Sequence, residues 1–333
     1  MSSMSRPPAD AFAELGLAPD GLHTDSDEIE SDTHQWAAEQ GLAPQGVDVL
    51  RQARFPRLAA RIFPAEPATR VRTYARWLVI LFALDDRSEQ STAQPDHIQT
   101  LYQQITAVLA GQNVEPQDPL VRAIREQWHR LPESLSPAWR DRFIRHLSRH
   151  GQALAWEARL RAGPRVPSLA AFMDLRPWSN GMFMWDLIEA VHPHEAPTPA
   201  TRTIAWRYLT TCSNQITAWR NDLASFSKES AIGNHDNYVA VLAHTLGCGR
   251  KEASTLVERQ ITSRVGDLLD YEDALLEQFR RLPGPEIRAL TDTTNTLRAI
   301  TAAHARWIVE SGRYRTAPNS PQVVLPKDRG KLK

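Results

Sequence analysis

The chain has 333 residues, 42% of them hydrophobic and 23% charged, and its 39 basic side chains balance 39 acidic ones. That balance argues against general binding to nucleic acid or to a membrane surface, which needs a basic excess or stripe, and the two cysteines, Cys212 and Cys248, have neither metal spacing nor a disulfide framework. No apolar run approaches the roughly 20 residues that span a bilayer, and the acidic stretch from Asp20 to Asp32 is unlike a signal peptide, so a cytoplasmic protein without membrane insertion is expected, with any lipid-like substrate held in a cavity.

Apolar residues recur at helical spacing, and turn clusters separate long segments. An all-α protein follows, with helices predicted over 33–41, 47–54, 68–87, 96–110, 119–131, 137–162, 180–191, 199–229, 236–246, 250–281 and 286–312. Pro56, Pro64 and Pro67 break the early part, Pro116, Pro119, Pro132 and Pro137 punctuate the middle, and Pro164, Pro167 and Pro177 bracket a kinked stretch. No Gly/Ser linker, charge block or fixed-period repeat divides the chain. One domain over 31–316 is the simplest organisation, flanked by a mobile segment over 1–30 and a flexible tail over 317–333.

Along that order the first motif with chemistry is Asp85-Asp86-Arg87-Ser88-Glu89, directly after the apolar run from Trp77 to Leu84. Adjacent carboxylates at the end of a buried helix repel one another and resist desolvation, which a cation or an open cavity relieves. The plain alternative is a helix leaving the core for water. Next, Arg176-Pro177-Trp178-Ser179-Asn180-Gly181 places a cation, a rigid turn and small residues before an apolar helix. Read alone it is a capped loop, although such a break also exposes backbone groups to a ligand. His192-Pro193-His194-Glu195, with more prolines behind it, reads as a connecting loop and not as a zinc site.

Asn221, Ser225 and Glu229 recur every fourth position. At about 100° per residue, Ser225 lies roughly 40° and Glu229 roughly 80° round from Asn221, so the three share one helix face with Lys228 beside them. One carboxylate and two neutral oxygens suit Mg²⁺, which binds through few carboxylates together with substrate phosphates, and the ammonium of Lys228 meets phosphate as a point charge. A solvated polar face is the alternative for each residue singly, but the two motifs together weigh against it. Gly247-Cys248-Gly249 lacks the pattern of a nucleotide loop. Trp307 and Arg313-Tyr314 close the series; guanidinium and phenol both donate to phosphate, although a cation near a helix C-terminus is also common on dipole grounds. Ten tryptophans are available, most of them for the core, and an aromatic face can line a cavity where positive charge develops on carbon.

With Trp36, Gly41-Leu42, Asp85 to Glu89, Arg176, Asn221 to Glu229 and Arg313-Tyr314 in this order, the chain resembles a bacterial class I terpene synthase over most of its length. The resemblance implies a helical bundle around a deep central pocket, in which three Mg²⁺ ions and basic side chains grip the diphosphate of an acyclic prenyl substrate. It implies that Asp85 bridges two ions with Asp86 and Glu89 as supporting carboxylates, and that Asn221, Ser225 and Glu229 hold the third. Arg176 matches the family's diphosphate sensor, and Lys228, Arg313 and Tyr314 its other diphosphate donors. Ser179 stands in the linker place, and Asn180 and Gly181 both remain candidates for the effector whose carbonyl faces the developing cation. Phe82, Trp185 and Trp307 are expected to line the pocket.

By the same likeness the expected substrate is farnesyl diphosphate, with geranyl and geranylgeranyl diphosphate as alternatives, and the product a sesquiterpene hydrocarbon or alcohol. A chain-elongating prenyltransferase would carry a second aspartate-rich motif where the Asn221 triad stands. A non-catalytic helical binding protein would have lost a motif element, and none is lost. A monomer or homodimer is expected.

Overall fold

The computed structural model describes residues 21–312, apart from 44–45, 91–94, 113–114, 164–165 and 232–235, and the described residues form α-helices and no strand. In chain order the helices are α1 (Ser26–Glu39), α2 (Val47–Ala53), α3 (Phe55–Ile62), α4 (Ala68–Gln90), α5 (Pro95–Leu109), α6 (Pro119–His129) and α7 (Pro137–Arg161). They continue as α8 (Leu169–Ser179), α9 (Phe183–Val191), α10 (Thr198–Thr201), α11 (Ile204–Ala231), α12 (Tyr238–Leu246), α13 (Arg250–Phe279) and α14 (Gly284–Glu310). None of them is long and apolar enough to cross a membrane.

Local chemistry sets several starts. Asp118, Ser136, Ser168 and Asn237 each accept a backbone N–H of the first turn that follows them, those of Leu120, Trp139, Ala171 and Val239, which satisfies a donor the helix cannot. Pro119 and Pro137 then occupy the first position, where a missing N–H costs nothing. Packing between helices is aromatic at the centre. Trp77 of α4, fully buried, meets Phe143 of α7 edge-on at 5.2 Å and Phe183 of α9 at 6.2 Å, and Trp139 stacks on Phe143 at 5.3 Å. These contacts fix α4, α7 and α9 against one another, and those three helices carry part of the cavity wall.

The all-α class and most helix positions agree with the sequence reading, with three differences. Helix α1 begins at Ser26, so the boundary expected at residue 30 falls inside it; Ile29 is fully buried, and Asp27, Glu28, Glu30 and Asp32 pair with Arg57, Arg72 and Arg76. Helices α3 and α8 form where prolines had suggested breaks. Pro56 lies in the first turn of α3, and Pro177 only two residues from the end of α8. The expected helix over 199–229 divides after Thr201, because Thr203 turns its hydroxyl to accept Trp206 N–H and starts α11 afresh. Residues 1–20 and 313–333 lie outside the described residues.

Candidate active site

Among the described residues, seven helices surround a cavity with about 1030 Å³ of empty space, its open mouth included. Along α4 the residues facing it run Leu78, Leu81, Phe82, Asp85, Glu89, a spacing that keeps one helix face and carries the lining from apolar to anionic. Helix α11 faces it with Thr217, Asn221, Asp222 and Glu229, and the α8–α9 corner with Arg176, Ser179, Asn180, Met184 and Trp185. The two acidic motifs thus stand on different walls of one space.

Ser225 is buried in the α11 wall between Asn221 and Glu229. The amide of Asn237 reaches both: it donates to Glu229 Oε2 at 2.8 Å and to Ser225 Oγ at 3.4 Å, and also to the Asp222 carbonyl at 2.8 Å. Burial raises the Glu229 pKa and the nearby Asp222 charge adds to it, against the hydrogen bonds from Asn237 and Ser225.

Arg176 is held by Asp222, with Nη2 at 2.6 Å from one carboxylate oxygen and Nε at 3.2 Å from both, while Nη1 donates to Ser179 Oγ at 3.3 Å. Burial works against the guanidinium charge, but the Asp222 carboxylate together with Glu157 and Glu229 outweighs it and holds the pKa above the ordinary arginine value. Asp222 itself is raised by burial and pulled back by Arg176. The pair is therefore a fixed cation with its orientation set, as a buried charge requires.

Sequence reasoning missed Asp222 as that partner, although it sits inside the motif beside Asn221. It also missed Glu157, Arg161 and Asp236, which line the same cavity. Arg161 lies 3.4 Å from Asp236 and 3.8 Å from Glu157, and donates to the Ser88 carbonyl at 3.3 Å, so it bridges the end of α4 to the segment before α12. Burial raises both carboxylates. Glu157 and Arg161 lie four residues apart on α7, but Asp236 comes from a distant part of the chain, so no local pattern announces the whole cluster.

Other predicted residues divide. Trp185 lines the cavity and is fixed by Nε1 donating to Ser213 Oγ at 2.9 Å. Trp307, by contrast, is a core residue: it is 1% exposed, donates Nε1 to the Ala53 carbonyl at 2.7 Å, and lies behind Phe82 with ring centroids 5.8 Å apart. Asp86 turns away from the cavity into a separate crevice with Gly41, Leu42 and Arg87, about 100° round the helix from Asp85. At the corner, Gly181 adopts φ +78° and its carbonyl accepts Met184 N–H at 2.9 Å, whereas Asn180 lines the cavity and donates its amide to Thr217 Oγ1 at 3.1 Å. The Lys228 side chain, Arg313 and Tyr314 lie outside the described residues. His192 has both ring nitrogens hydrogen-bonded, to Glu66 and Thr296 at 2.9 Å each, in keeping with a structural loop.

Among the described residues no three His, Cys, Asp or Glu side chains converge into a protein-only metal cage. The donors facing the cavity are instead hard oxygens, Asp85 and Glu89 on one wall and Asn221 and Glu229 on the other. That set fits Mg²⁺, which keeps several waters and completes its shell with phosphate oxygens.

A helical fold around a cavity that is hydrocarbon along part of its lining, and carries carboxylates, an amide and a buried guanidinium along the rest, defines a metal-dependent class I terpene synthase. Residues 76–267 match the family described as terpene synthase family 2, C-terminal metal binding, and the chain belongs to that family. It is similar to the (+)-eremophilene synthase of Sorangium cellulosum, 25% identical over 88% of this chain and 89% of that one. It is also similar to the (+)-T-muurolol synthase of Roseiflexus castenholzii, described as cyclising (2E,6E)-farnesyl diphosphate, 26% identical over 90% and 92% of the two chains. Its fold is that of the linalool/nerolidol synthase of Streptomyces clavuligerus solved with 2-fluorogeranyl diphosphate, with a TM-score of 0.78 at 22% identity over 88% of this chain and 97% of that one.

Proposed function

We propose that the protein is a Mg²⁺-dependent sesquiterpene synthase that ionises farnesyl diphosphate, cyclises the carbocation and releases diphosphate. The observation that carries this reading is the cavity, whose lining passes from hydrocarbon to carboxylate along α4 and faces the Asn221 stripe across the same space. The naming of the T-muurolol relative supports the fifteen-carbon substrate.

In this reading Asp85 and Glu89 on α4, and Asn221, Ser225 and Glu229 on α11, are the residues that would hold Mg²⁺. Mg²⁺ bound there would supply Lewis-acid charge neutralisation of the leaving diphosphate. Arg176, kept charged and aimed by Asp222, donates to diphosphate oxygens, with Lys228, Arg313 and Tyr314 as further donors by likeness. Charge stabilisation of this preorganised kind is the largest contribution expected in such a step. Asp86 and Trp307 take no direct part, given where their side chains lie. Of the two effector candidates Asn180 is favoured, because the Gly181 carbonyl is committed to Met184 N–H. The apolar wall folds the prenyl chain and excludes water from the cation, and the Phe82 and Trp185 faces attract positive charge.

The test is incubation of purified protein with geranyl, farnesyl and geranylgeranyl diphosphate in turn, with Mg²⁺ or EDTA, and analysis of extracts by gas chromatography and mass spectrometry. A Mg²⁺-dependent fifteen-carbon product is expected from farnesyl diphosphate. Asp85→Ala and Asn221→Ala should each lower turnover by more than about a hundredfold while circular dichroism stays helical. Turnover like the wild type in both variants would sink the metal assignment.

A further inference from the structure

Helix α14 brings a histidine to the cavity wall one turn after Ile300. His304 is 9% exposed, and its Nδ1 is buried without a hydrogen-bond partner, which leaves Nε2 as the ring nitrogen open to the cavity. The ring leans on Trp307 with centroids 5.4 Å apart, and Trp307 is pinned to the Ala53 carbonyl and packed on Phe55 and Phe82. The imidazole is thus presented from a fixed aromatic support. An unpartnered buried polar atom is destabilising, a cost that leucine or phenylalanine would avoid if this position served packing alone. Burial, with the Arg220 and Arg176 charges adding to it, lowers the His304 pKa to about 3, so the ring is neutral.

The proposed reaction ends in a carbocation that must lose a proton to become an olefin. Most polar groups of the lining are committed elsewhere. Asp85, Glu89, Asn221 and Glu229 are the proposed metal ligands, and Glu157 and Asp236 both lie against the Arg161 guanidinium. The Tyr74 hydroxyl is a far weaker base than an imidazole. Resting on the synthase reading above, we infer that His304 is the catalytic base that ends the reaction. The C–H bond on the carbon next to the cationic centre breaks, its electron pair forms the new C=C bond, and the proton passes to Nε2. A carbocation is acidic enough to protonate even a weakly basic imidazole, and a neutral ring does not repel the cation beforehand. The resulting imidazolium, destabilised by burial and two guanidinium charges, gives its proton to the released diphosphate or to solvent. The product is therefore an olefin.

The experiment measures diphosphate release and product profile in parallel, with farnesyl diphosphate and Mg²⁺, for the wild type, His304→Phe and His304→Ala. The yield of the wild-type olefin per diphosphate released is expected to fall by about tenfold or more in both variants, within the range of general-base contributions. Added imidazole should restore it in His304→Ala, whereas pyrrole, of the same shape without an accepting ring nitrogen, should not. An unchanged yield in His304→Phe, no restoration by imidazole, equal restoration by pyrrole, or a wild-type product that is mainly a terpenol each overturns the assignment. A wild type that releases no diphosphate overturns the synthase reading itself, and this inference with it.

Discussion

Asn237 has two duties that a pair of substitutions can separate. Its Oδ1 accepts Val239 N–H and caps α12, while its Nδ2 donates to Glu229 and Ser225 on the proposed metal face. Asn237→Asp keeps the cap and loses the donor; Asn237→Ala loses both. Because groups that orient metal ligands are worth about 10–100-fold in metal affinity, both variants should need correspondingly more Mg²⁺ for turnover. The alanine should also lose about 1 kcal/mol of stability to urea. Wild-type Mg²⁺ dependence in Asn237→Asp would show that the amide does not position the site. Gly181 offers a second test at this scale. It adopts φ +78°, and a Cβ there would stand 2.6 Å from Leu81 Cδ1, a cavity-lining atom group. Gly181→Ala should cost about 1–2 kcal/mol in backbone strain alone and push Leu81 towards the substrate space, so a lower melting temperature together with an altered product profile is expected.

Helices α7 and α9 are joined by ionic contacts that the motifs do not predict. Arg142 of α7 bonds Asp186 at 2.8 Å and also pairs with Glu189, and Glu189 Oε1 accepts Ala196 N–H at 3.1 Å. Burial outweighs the attraction of Arg142 and raises the Glu189 pKa to about 7. The folded state therefore binds this proton more tightly than the unfolded chain. The contribution is fully present below the ordinary glutamate value, about 4.5, and is lost as pH rises through about 7. Glu189→Gln should flatten the fall in stability across that window, measured by urea unfolding at a series of pH values; a slope equal to the wild type's would refute the assignment. Asp186 behaves oppositely. His146 and Arg142 overcome its burial and hold its pKa low, so its share is present at higher pH and is lost on acidification. At this scale the sequence was legible wherever a helix showed its own period and caps. It misled at α3 and α8, where prolines lie in a first and a last turn, positions that tolerate them, and at α1, whose acidic residues find arginine partners from 25 or more positions away in the chain.

For the whole molecule, the two acidic walls and the Arg176 cation surround one space, so metal and diphosphate should bind as a set. Mg²⁺ and inorganic diphosphate together are expected to raise the melting temperature by several degrees, each alone by much less. At a hundredfold excess over the dissociation constant the gain is about 2.7 kcal/mol. The full shift with diphosphate and EDTA would show that the anion binds without metal. The sequence by itself determined the helical class, the Asn221, Ser225 and Glu229 face and the acidic end of α4, because these depend on spacing within a single helix. Only the tertiary structure decided that Asp85 faces the cavity while Asp86 does not, that Trp307 is core, that Asp222 holds Arg176, and that Glu157, Arg161, Asp236 and His304 share the site. Those outcomes depend on how helices distant in the chain rotate and dock, a geometry set by the packing of many buried side chains at once, and no local period encodes it.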